Sequence, residues 1–434
     1  MLFYTVWVST LTVRVPELLY GVGWHSCNVS ANTYSFFMES SELVELLSVE
    51  GLRLLDSLPR WESKDDVLKS VTSLRAAGHS PGLVAAVLSQ SKLRAKAEAK
   101  FGPFAARMLF TEAGLEQSTR LRVAALHAGR FQAAGLTRIA DLGSGIGGDA
   151  MAMAALDLEV TAFDLDEITA AIATYNLAPW SNASVQNADV TTIDFDPFDG
   201  LYLDPARRTA GHGNTSRITN PADFSPSLDF AFDVAQRLPT GIKLGPGLDR
   251  DLVPLEAEAQ WVSVDREVVE LGVWFGAVAR PGIHRSALVI GDHGTAELSA
   301  EKDSEDAEVG QIGDYLFEPD GAVIRARLIG TLARSLNATM LSSGIAYLTG
   351  DTASETPFAS CFRITAVLPW DERSLKRELA ARGIGTLEIK KRGADVDPAA
   401  LRKKLSLKGP GSATLFVTRV AGRHCAILTE RVTR

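Results

Sequence analysis

Apolar residues between Met38 and about Arg130 recur at steps of three and four, which is the spacing of one face of an α-helix. The leucines that define the first part of this pattern are Leu43, Leu46, Leu47, Leu54, Leu55 and Leu58. Ser80-Pro81 adds a helix start, because serine caps helix N-termini and proline suits the first turn. We therefore predict an all-helical N-terminal domain over residues 38–109.

From residue 138 onward, short apolar runs alternate with segments of helical character. The runs are RIADL (138–142), VTAFD (160–164), SVQNAD (184–189), GLYLDP (200–205) and GIKLG (241–245). Alternating strands and helices imply right-handed crossovers and a parallel sheet with helices on both faces. The sequence therefore predicts an α/β domain over residues 110–291.

Two further strand-like runs follow at residues 268–276 and 285–291, separated by a short loop that contains Pro281-Gly282. Two strands so close in sequence usually pair with each other across the loop. We therefore expect them to form an antiparallel hairpin at the end of the sheet.

The C-terminal third of the chain begins with an acidic, aperiodic stretch at residues 301–308, which predicts a surface loop or linker. Residues 292–360 are predicted to hold this linker and a small domain. Residues 361–434 run as strand, helix, strand, helix and two strands. This order predicts a compact α+β domain.

Residues 1–37 differ from the rest, with one basic residue (Arg14), one acid (Glu17) and eight aromatic residues. A positive n-region and a small-residue cleavage site, which a signal peptide needs, are not evident. We therefore expect Met38 to be the functional start and the preceding segment to be a non-native or disordered extension. A targeting segment is the alternative.

Composition narrows the class of protein further. The sequence has no run of about 18 uninterrupted apolar residues, the length that a membrane-spanning helix requires. Its three cysteines, Cys27, Cys361 and Cys425, lie far apart without histidines at ligand spacing. This pattern argues against a disulfide framework and a structural metal site, and it favours the reducing cytoplasm.

The charge is distributed unevenly. Residues from Arg373 to Arg434 contain 15 Lys/Arg and 5 Asp/Glu, whereas the residues before them contain 29 and 48. An acidic body with a basic C-terminal domain is expected when only that domain binds a polyanion. A basic surface that meets only solvent is the alternative.

The sharpest motif is DLGSGIGGD (141–149), which lies between a predicted strand and an alanine-rich helix. Glycines at these positions allow a tight turn and a close approach of the backbone to a ligand. Gly143 and Gly145 fit nucleotide and methyl-donor loops equally well. Asp141 favours the methyl donor, because a carboxylate can bind the ammonium of a methionine group but would repel a pyrophosphate.

Acids also follow the next two predicted strands. Asp164 closes the second strand, nineteen residues after Gly145, where a carboxylate can bind two ribose hydroxyls. Either Asp164 or Asp166 can instead cap the following helix, and the spacing does not choose between them. Asp189 ends the third strand, where it is either a ligand for an adenine amino group or an ordinary acid.

The fourth strand ends in LDPARRT (203–209), at the edge where α/β sheets bind ligands. Asp204 can accept a proton or a hydrogen bond from a target amino group, and the Pro205 carbonyl can accept a second hydrogen bond. Arg207 and Arg208 suit a phosphate on the substrate, or they form a basic pair that faces solvent.

Together these motifs resemble the class I S-adenosylmethionine-dependent methyltransferases, whose fold is a Rossmann-like α/β sheet, over about residues 110–290. The segment FTEAGLEQST (110–119) is similar to the stretch before the glycine loop in trimethylguanosine synthase-like RNA methyltransferases. The whole layout resembles a bacterial group that adds a helical N-terminus, a small ferredoxin-like domain and a THUMP-like C-terminal domain. THUMP-like domains accompany enzymes that modify structured RNA, mainly tRNA.

The resemblance implies S-adenosylmethionine as the cofactor, and it implies the site residues. The implied cofactor contacts are Asp141, Gly143, Gly145, Asp164 and Asp189, with the methyl acceptor near Asp204 and Pro205. The sequence departs from the family where amino-group methyltransferases have a second proline and an aromatic residue, because Ala206 and Arg207 stand there. Trp180 or Trp274 is then either the residue that stacks on the base or part of the core.

The sequence therefore predicts a cytoplasmic methyltransferase that acts on a base nitrogen of structured RNA, tRNA or rRNA, with no membrane or metal partner. One alternative is a methyltransferase acting on a protein or small molecule. A second is a non-catalytic RNA-binding protein with a vestigial cofactor fold. An NAD-dependent oxidoreductase ranks last, because Asp141 disfavours pyrophosphate.

Overall fold

A computed structural model describes residues 40–58, 64–207, 224–292 and 294–432. The predicted extension 1–37, its start at Met38 and Arg208 lie outside the described residues. The chain divides between Gly200 and Leu201 into two compact units. No helix within the described ranges is long and apolar enough to cross a membrane.

The first unit begins with helices, as the leucine pattern predicts. They are α1 (Ser40–Leu47), α2 (Val49–Ser57), α3 (Lys64–Ala76) and α4 (Pro81–Phe101), followed by a 3-10 helix at Gly102–Arg107. The Ser80 hydroxyl accepts a hydrogen bond from the Leu83 amide at 3.1 Å, which confirms the predicted start of α4. The buried Gln90 side chain exchanges two hydrogen bonds with the Phe110 backbone and fixes α4 to the next segment.

Helices and strands alternate in the rest of the first unit. The elements are α5 (Glu112–Gln117), α6 (Leu121–Ala133), β1 (Arg138–Leu142), α7 (Gly148–Ala155), β2 (Glu159–Asp164), α8 (Glu167–Leu177) and β3 (Ala183–Asn187). Strand β2 pairs in parallel with β1 on one side and with β3 on the other. The carboxyl ends of these strands therefore lie at one edge.

The second unit opens with six strands of a sheet. The elements are β4 (Gly200–Leu203), β5 (Ala206–Arg207), β6 (Phe224–Ser225), α9 (Leu228–Ala235), β7 (Thr240–Leu244), β8 (Glu258–Val264), β9 (Glu267–Phe275), β10 (Arg285–Gly291) and β11 (Gly294–Ala300). In this unit the strand order is β4-β7-β9-β8-β10-β11, and the short β5 and β6 pair separately. Strand β4 is parallel to β7, so the two strands end at the same edge.

The predicted hairpin of β9 with β10 is wrong. Strand β8 lies between them and pairs antiparallel with β9 and parallel with β10, and β10 forms its hairpin with β11. The β8–β9 hairpin turns at Asp265 and Arg266, which both have positive φ, of 49° and 72°. Such two-residue turns are typically marked by glycine or asparagine, and this one is not.

The rest of the second unit is a seven-stranded sheet with helices. Its elements are β12 (Tyr315–Pro319), α10 (Gly321–Arg325), α11 (Ile329–Leu336), β13 (Thr339–Ser342), β14 (Ile345–Gly350), β15 (Ala359–Pro369), α12 (Glu372–Ala381), β16 (Ile384–Lys391), α13 (Pro398–Leu405), β17 (Gly411–Val420) and β18 (Arg423–Arg431). The strand order is β13-β14-β12-β15-β18-β17-β16. Leucines of α12 and α13 pack on the sheet in one apolar cluster. This packing explains why strands and helices alternate in residues 361–434.

Trp274 of β9 belongs to the core of the second unit, with 1% of its surface exposed. A Cβ added at Gly241 of β7 would lie 2.5 Å from the Trp274 ring, so the glycine makes room for the indole. This burial settles the alternatives for Trp274 in favour of the core. Trp180, which follows α8, is partly exposed.

Gly241→Ala is expected to lower the free energy of unfolding by about 1–3 kcal/mol, because the added methyl group overpacks the indole. Urea denaturation followed by tryptophan fluorescence measures the change. Gly129→Ala in α6 is the matched control, since its added Cβ would meet open space. It is expected to be neutral or to stabilise by about 0.5–1 kcal/mol, and an equal loss in both variants would contradict the packing argument.

Candidate active site

The loop between β1 and α7 has a backbone path that requires its glycines. Gly143, Gly145 and Gly147 have φ values of 81°, 56° and 83°, a region that strains residues with a Cβ. The Gly143 and Ser144 amides each donate to the Phe163 carbonyl at 2.9 Å, which ties the loop to β2. Gly147 ends the loop as the N-terminal cap of α7.

The structure distinguishes Asp164 from Asp166. Asp166 caps α8, since its carboxylate accepts hydrogen bonds from the Thr169 amide at 2.8 Å and hydroxyl at 2.6 Å. Asp164 instead accepts the Gly145 amide at 2.9 Å through one oxygen and the Asp166 amide at 2.9 Å through the other. Each carboxylate oxygen has a second lone pair, so Asp164 can hold the glycine loop and still bind ligand hydroxyls.

Several side chains beside the loop fit S-adenosylmethionine. Asp141 is 1% exposed. The Ser144 hydroxyl oxygen is buried and has no hydrogen-bond partner among the described residues, so it has capacity left for a ligand. Leu165, directly after Asp164, is 67% exposed and offers an apolar surface. Polar groups next to an apolar surface suit a ligand with an amino-acid part, a ribose and an aromatic base.

Asp189 lies two residues beyond β3 and is exposed. Its carboxylate accepts hydrogen bonds from the Thr191 amide at 2.9 Å and hydroxyl at 2.7 Å. The hydrogen bond from the Thr191 hydroxyl, followed by the one from its amide, lowers the pKa of Asp189. These contacts order the turn and keep the acid ionised.

The predicted acceptor residues lie where β4 ends. Asp204 follows the last strand residue and forms an ion pair with Lys243 of β7, whose Nζ lies 2.5 Å from Oδ2. The pairing of Leu203 with Ile242 brings the two side chains together. Pro205 is buried, and Ala206 and Arg207 continue into β5, which pairs with β6.

Three residues near these motifs make contacts that the sequence analysis missed. Lys243 was part of a predicted strand, and only the strand register reveals its contact with Asp204. His127 of α6 and Asp149 of α7 are both buried, and Nδ1 lies 2.9 Å from Oδ1. This pair fixes the first turn of α7 behind the glycine loop. Its spacing of 22 residues gave no sequence pattern to find it by.

The segment before the glycine loop lies close against it. The Thr111 hydroxyl caps α5 by accepting the Gly114 amide at 2.9 Å. A Cβ at Gly114 would lie 2.6 Å from Ile146 Cγ2, inside the loop. Asn176 of α8 holds both parts, because its side-chain amide donates to the carbonyls of Leu109 and Ile146.

Comparison with known proteins identifies parts of the chain. Residues 359–431 match the family described as THUMP domain-like, and residues 39–97 match a domain of unknown function, DUF8688. A crystal structure described as a methyltransferase of Porphyromonas gingivalis W83 superposes with a TM-score of 0.65 and 20% identity. It covers 86% of this chain and 99% of that one, so the two share the Rossmann-like methyltransferase fold.

Two proteins of Mycobacterium tuberculosis are each 31% identical to this chain over 370 residues. They are Rv3037c of strain H37Rv and MT3122 of strain CDC 1551, both described as uncharacterized S-adenosylmethionine-dependent methyltransferases. The match covers 83% of this chain and 98% of each relative. The chain therefore belongs to the S-adenosylmethionine-dependent methyltransferases, and S-adenosylmethionine is its cofactor.

Proposed function

We propose that this enzyme methylates a base nitrogen of structured RNA, tRNA or rRNA. The observation that carries the proposal is the Asp204–Lys243 ion pair at the carboxyl ends of β4 and β7, in a chain whose C-terminal domain is basic and THUMP-like. The pair presents a hydrogen-bond acceptor and a donor side by side. The amino and ring-nitrogen edge of a nucleobase presents the complementary pattern.

The cofactor contacts in this proposal are Asp141, Gly143, Gly145, Asp164 and Asp189. S-adenosylmethionine supplies an electrophilic methyl group on a sulfonium when it is bound. The buried Asp141 carboxylate binds the ammonium of its methionine part, and Asp164 accepts hydrogen bonds from the ribose hydroxyls. Asp189 accepts a hydrogen bond from the adenine amino group. The segment 110–119, which resembles the corresponding stretch of trimethylguanosine synthase-like enzymes, packs against the glycine loop.

Asp204 and Pro205 orient the methyl acceptor. Methyl transfer is a displacement, so the enzyme must mainly align the acceptor lone pair and exclude water. The Asp204 carboxylate accepts a hydrogen bond from an N–H of the target amino group, and the Pro205 carbonyl accepts a second hydrogen bond. Lys243 holds Asp204 in place, so Asp204 acts as an orienting group. Arg207 and Arg208 bind a phosphate of the RNA.

The test is transfer of a radiolabelled methyl group to separate pools of unmodified tRNA, rRNA, protein and small-molecule extract. We expect label in an RNA pool. Label in protein or small molecules alone would replace RNA with that substrate class. Label in no pool, despite measurable cofactor binding, would favour an RNA-binding role without catalysis.

Asp164→Ala is expected to raise the Kd for S-adenosylmethionine by about 100-fold or more, because it removes two hydrogen bonds from ribose hydroxyls to a charged group, each contributing about 1.5–3 kcal/mol. Isothermal titration calorimetry measures the change. Asp166→Ala is the control, since it removes only the cap of α8 and is expected to change stability more than affinity. Equal affinity losses in both variants would contradict the ribose role of Asp164.

A further inference from the structure

The two helices of the C-terminal domain present a strongly basic surface to solvent. It comprises Arg373, Lys376 and Arg377 of α12 with Arg402, Lys403 and Lys404 of α13, all exposed, and we call it the helix-layer patch. Leu375 and Leu379 of α12 face the apolar cluster on the sheet. The basic side chains of α12 therefore lie away from this cluster. On α13, Arg402 Nε donates to the Leu387 carbonyl of β16 at 3.2 Å, while the side chain remains exposed.

Direct contacts join the two halves of the patch. Lys376 Nζ donates to the Lys404 carbonyl at the end of α13, at 3.4 Å. Lys404 Nζ in turn lies 3.0 Å from Glu372 at the start of α12. The middle of α12 and the last turn of α13 are thus neighbours, so the two groups of cations lie next to each other.

The helix itself does not explain the charges of α12. Arg373 lies in the first turn, where the helix dipole disfavours positive charge. Arg373 stands four residues before Arg377 and three before Lys376, and like charges at these spacings destabilise a helix. Only the cations in the last turn of α13 have a favourable position. Because these charges destabilise α12, their presence indicates a function other than helix stability.

Three basic residues on the strands of the same sheet have acidic partners, as Lys404 of the patch does in Glu372. Lys390 lies 2.7 Å from Glu318, Arg431 lies 3.6 Å from Glu388, and Arg363 lies 2.6 Å from Glu430. The helix-layer patch has six cations, and α12 and α13 together contain two acids, Glu372 and Glu378. Six cations against two acids leave an excess of four positive charges on these two short helices.

We propose that the helix-layer patch is the surface that binds the phosphate backbone of the RNA substrate. This inference rests on the proposed function and adds to it the docking face. Exposed cations on two neighbouring helices suit repeated phosphate groups, because binding to phosphates needs no base-specific geometry. The strand side of the domain contributes little to RNA affinity.

The test compares two triple variants of the full-length enzyme with the same change in charge. Arg373→Gln/Lys376→Gln/Arg377→Gln neutralises α12 with a good helix former. Arg363→Gln/Arg419→Gln/Arg423→Gln neutralises three exposed strand residues as the matched control. Binding of a fluorescent, unmodified tRNA transcript is measured by anisotropy at several salt concentrations, and cofactor binding and thermal melts check the fold.

The α12 variant is expected to weaken tRNA binding about 10-fold or more and to reduce the log-log salt slope by about 2 to 3, one unit or slightly less for each lost phosphate contact. The control should keep the wild-type slope. A second variant, Arg402→Gln/Lys403→Gln/Lys404→Gln, should act like the first. If only the control variant loses tRNA binding, the helix-layer patch is not the docking face, although RNA remains the substrate. Wild-type enzyme that binds no RNA would overturn the proposed function as well.

Discussion

Asp204→Ala is expected to lower kcat about 100-fold or more while changing the Kd for S-adenosylmethionine by no more than about twofold. The substitution removes the carboxylate that orients the acceptor nitrogen, whereas the proposed cofactor contacts belong to other residues. Single-turnover methylation measures the rate, and calorimetry on the same preparation measures the affinity. An equal loss of both properties would contradict the orienting role.

Asp204→Ala also leaves the Lys243 ammonium without this carboxylate, and the Lys243 side chain is only 12% exposed. Variants of Lys243 therefore separate the orienting role of Asp204 from a loss of stability. Lys243→Met is expected to lower kcat by releasing Asp204, and Lys243→Arg should restore part of the rate since it keeps a donor and the charge. A merely structural effect would lower thermal stability and the rate in parallel across all three variants. If Lys243→Arg recovers part of the rate that Lys243→Met loses, the role of Lys243 is to position Asp204.

Arg280→Met is expected to lower the free energy of unfolding by about 3–5 kcal/mol. Arg280, between β9 and β10, forms ion pairs at 2.5 Å with both Glu258 and Glu297, and Glu258 is completely buried. Removing the arginine leaves a buried carboxylate without its cation, which is far costlier than losing a surface pair. Chemical denaturation of the wild type and the variant measures the difference.

Arg363→Met is the control for that variant, because Arg363 and its partner Glu430 are both about half exposed, at 56%. Exposed pairs contribute about 0–1 kcal/mol, so this variant should unfold almost like the wild type. Glu258→Gln added to Arg280→Met should recover part of the loss by removing the buried charge. Similar losses for Arg280→Met and Arg363→Met would contradict the burial argument.

The same cluster predicts how stability depends on pH. Burial opposes the charge on Glu297, but hydrogen bonds from Arg280 and Ser286 outweigh it and lower the pKa of Glu297. A carboxyl whose pKa is lower when folded stabilises the protein above its ordinary pKa of about 4.3, and it loses that contribution as the pH falls toward the folded value. The free energy of unfolding should therefore fall more steeply with decreasing pH in the wild type than in Arg280→Met.

Local patterns were enough to predict the elements around the glycine loop. β1 begins and ends where the run RIADL does, and α4 begins at Pro81, because apolar spacing, glycine and proline act within a few residues. The strands of the C-terminal domain could be predicted for the same reason. The fold class could thus be predicted from periodicity and motif order.

Features that depend on pairing between distant residues could not be predicted. The turn at Asp265-Arg266 has positive φ without glycine, so the β8–β9 hairpin was missed. Lys243 lies 39 residues from Asp204 in sequence, and only the register of β4 with β7 joins them. Arg280 and Glu258 likewise come together through strand order. Contacts of this kind are set by tertiary structure, which a single sequence does not display.

The most direct test of the central claim is to identify the methylated product. Wild-type enzyme is incubated with deuterium-labelled S-adenosylmethionine and unmodified RNA, the RNA is digested to nucleosides, and mass spectrometry locates the labelled methyl group. Asp204→Ala serves as the negative control. The account predicts one labelled nucleoside with the methyl group on a base nitrogen, absent from the control. Label on a ribose hydroxyl or a base carbon would contradict it, as would label that persists in the Asp204 variant.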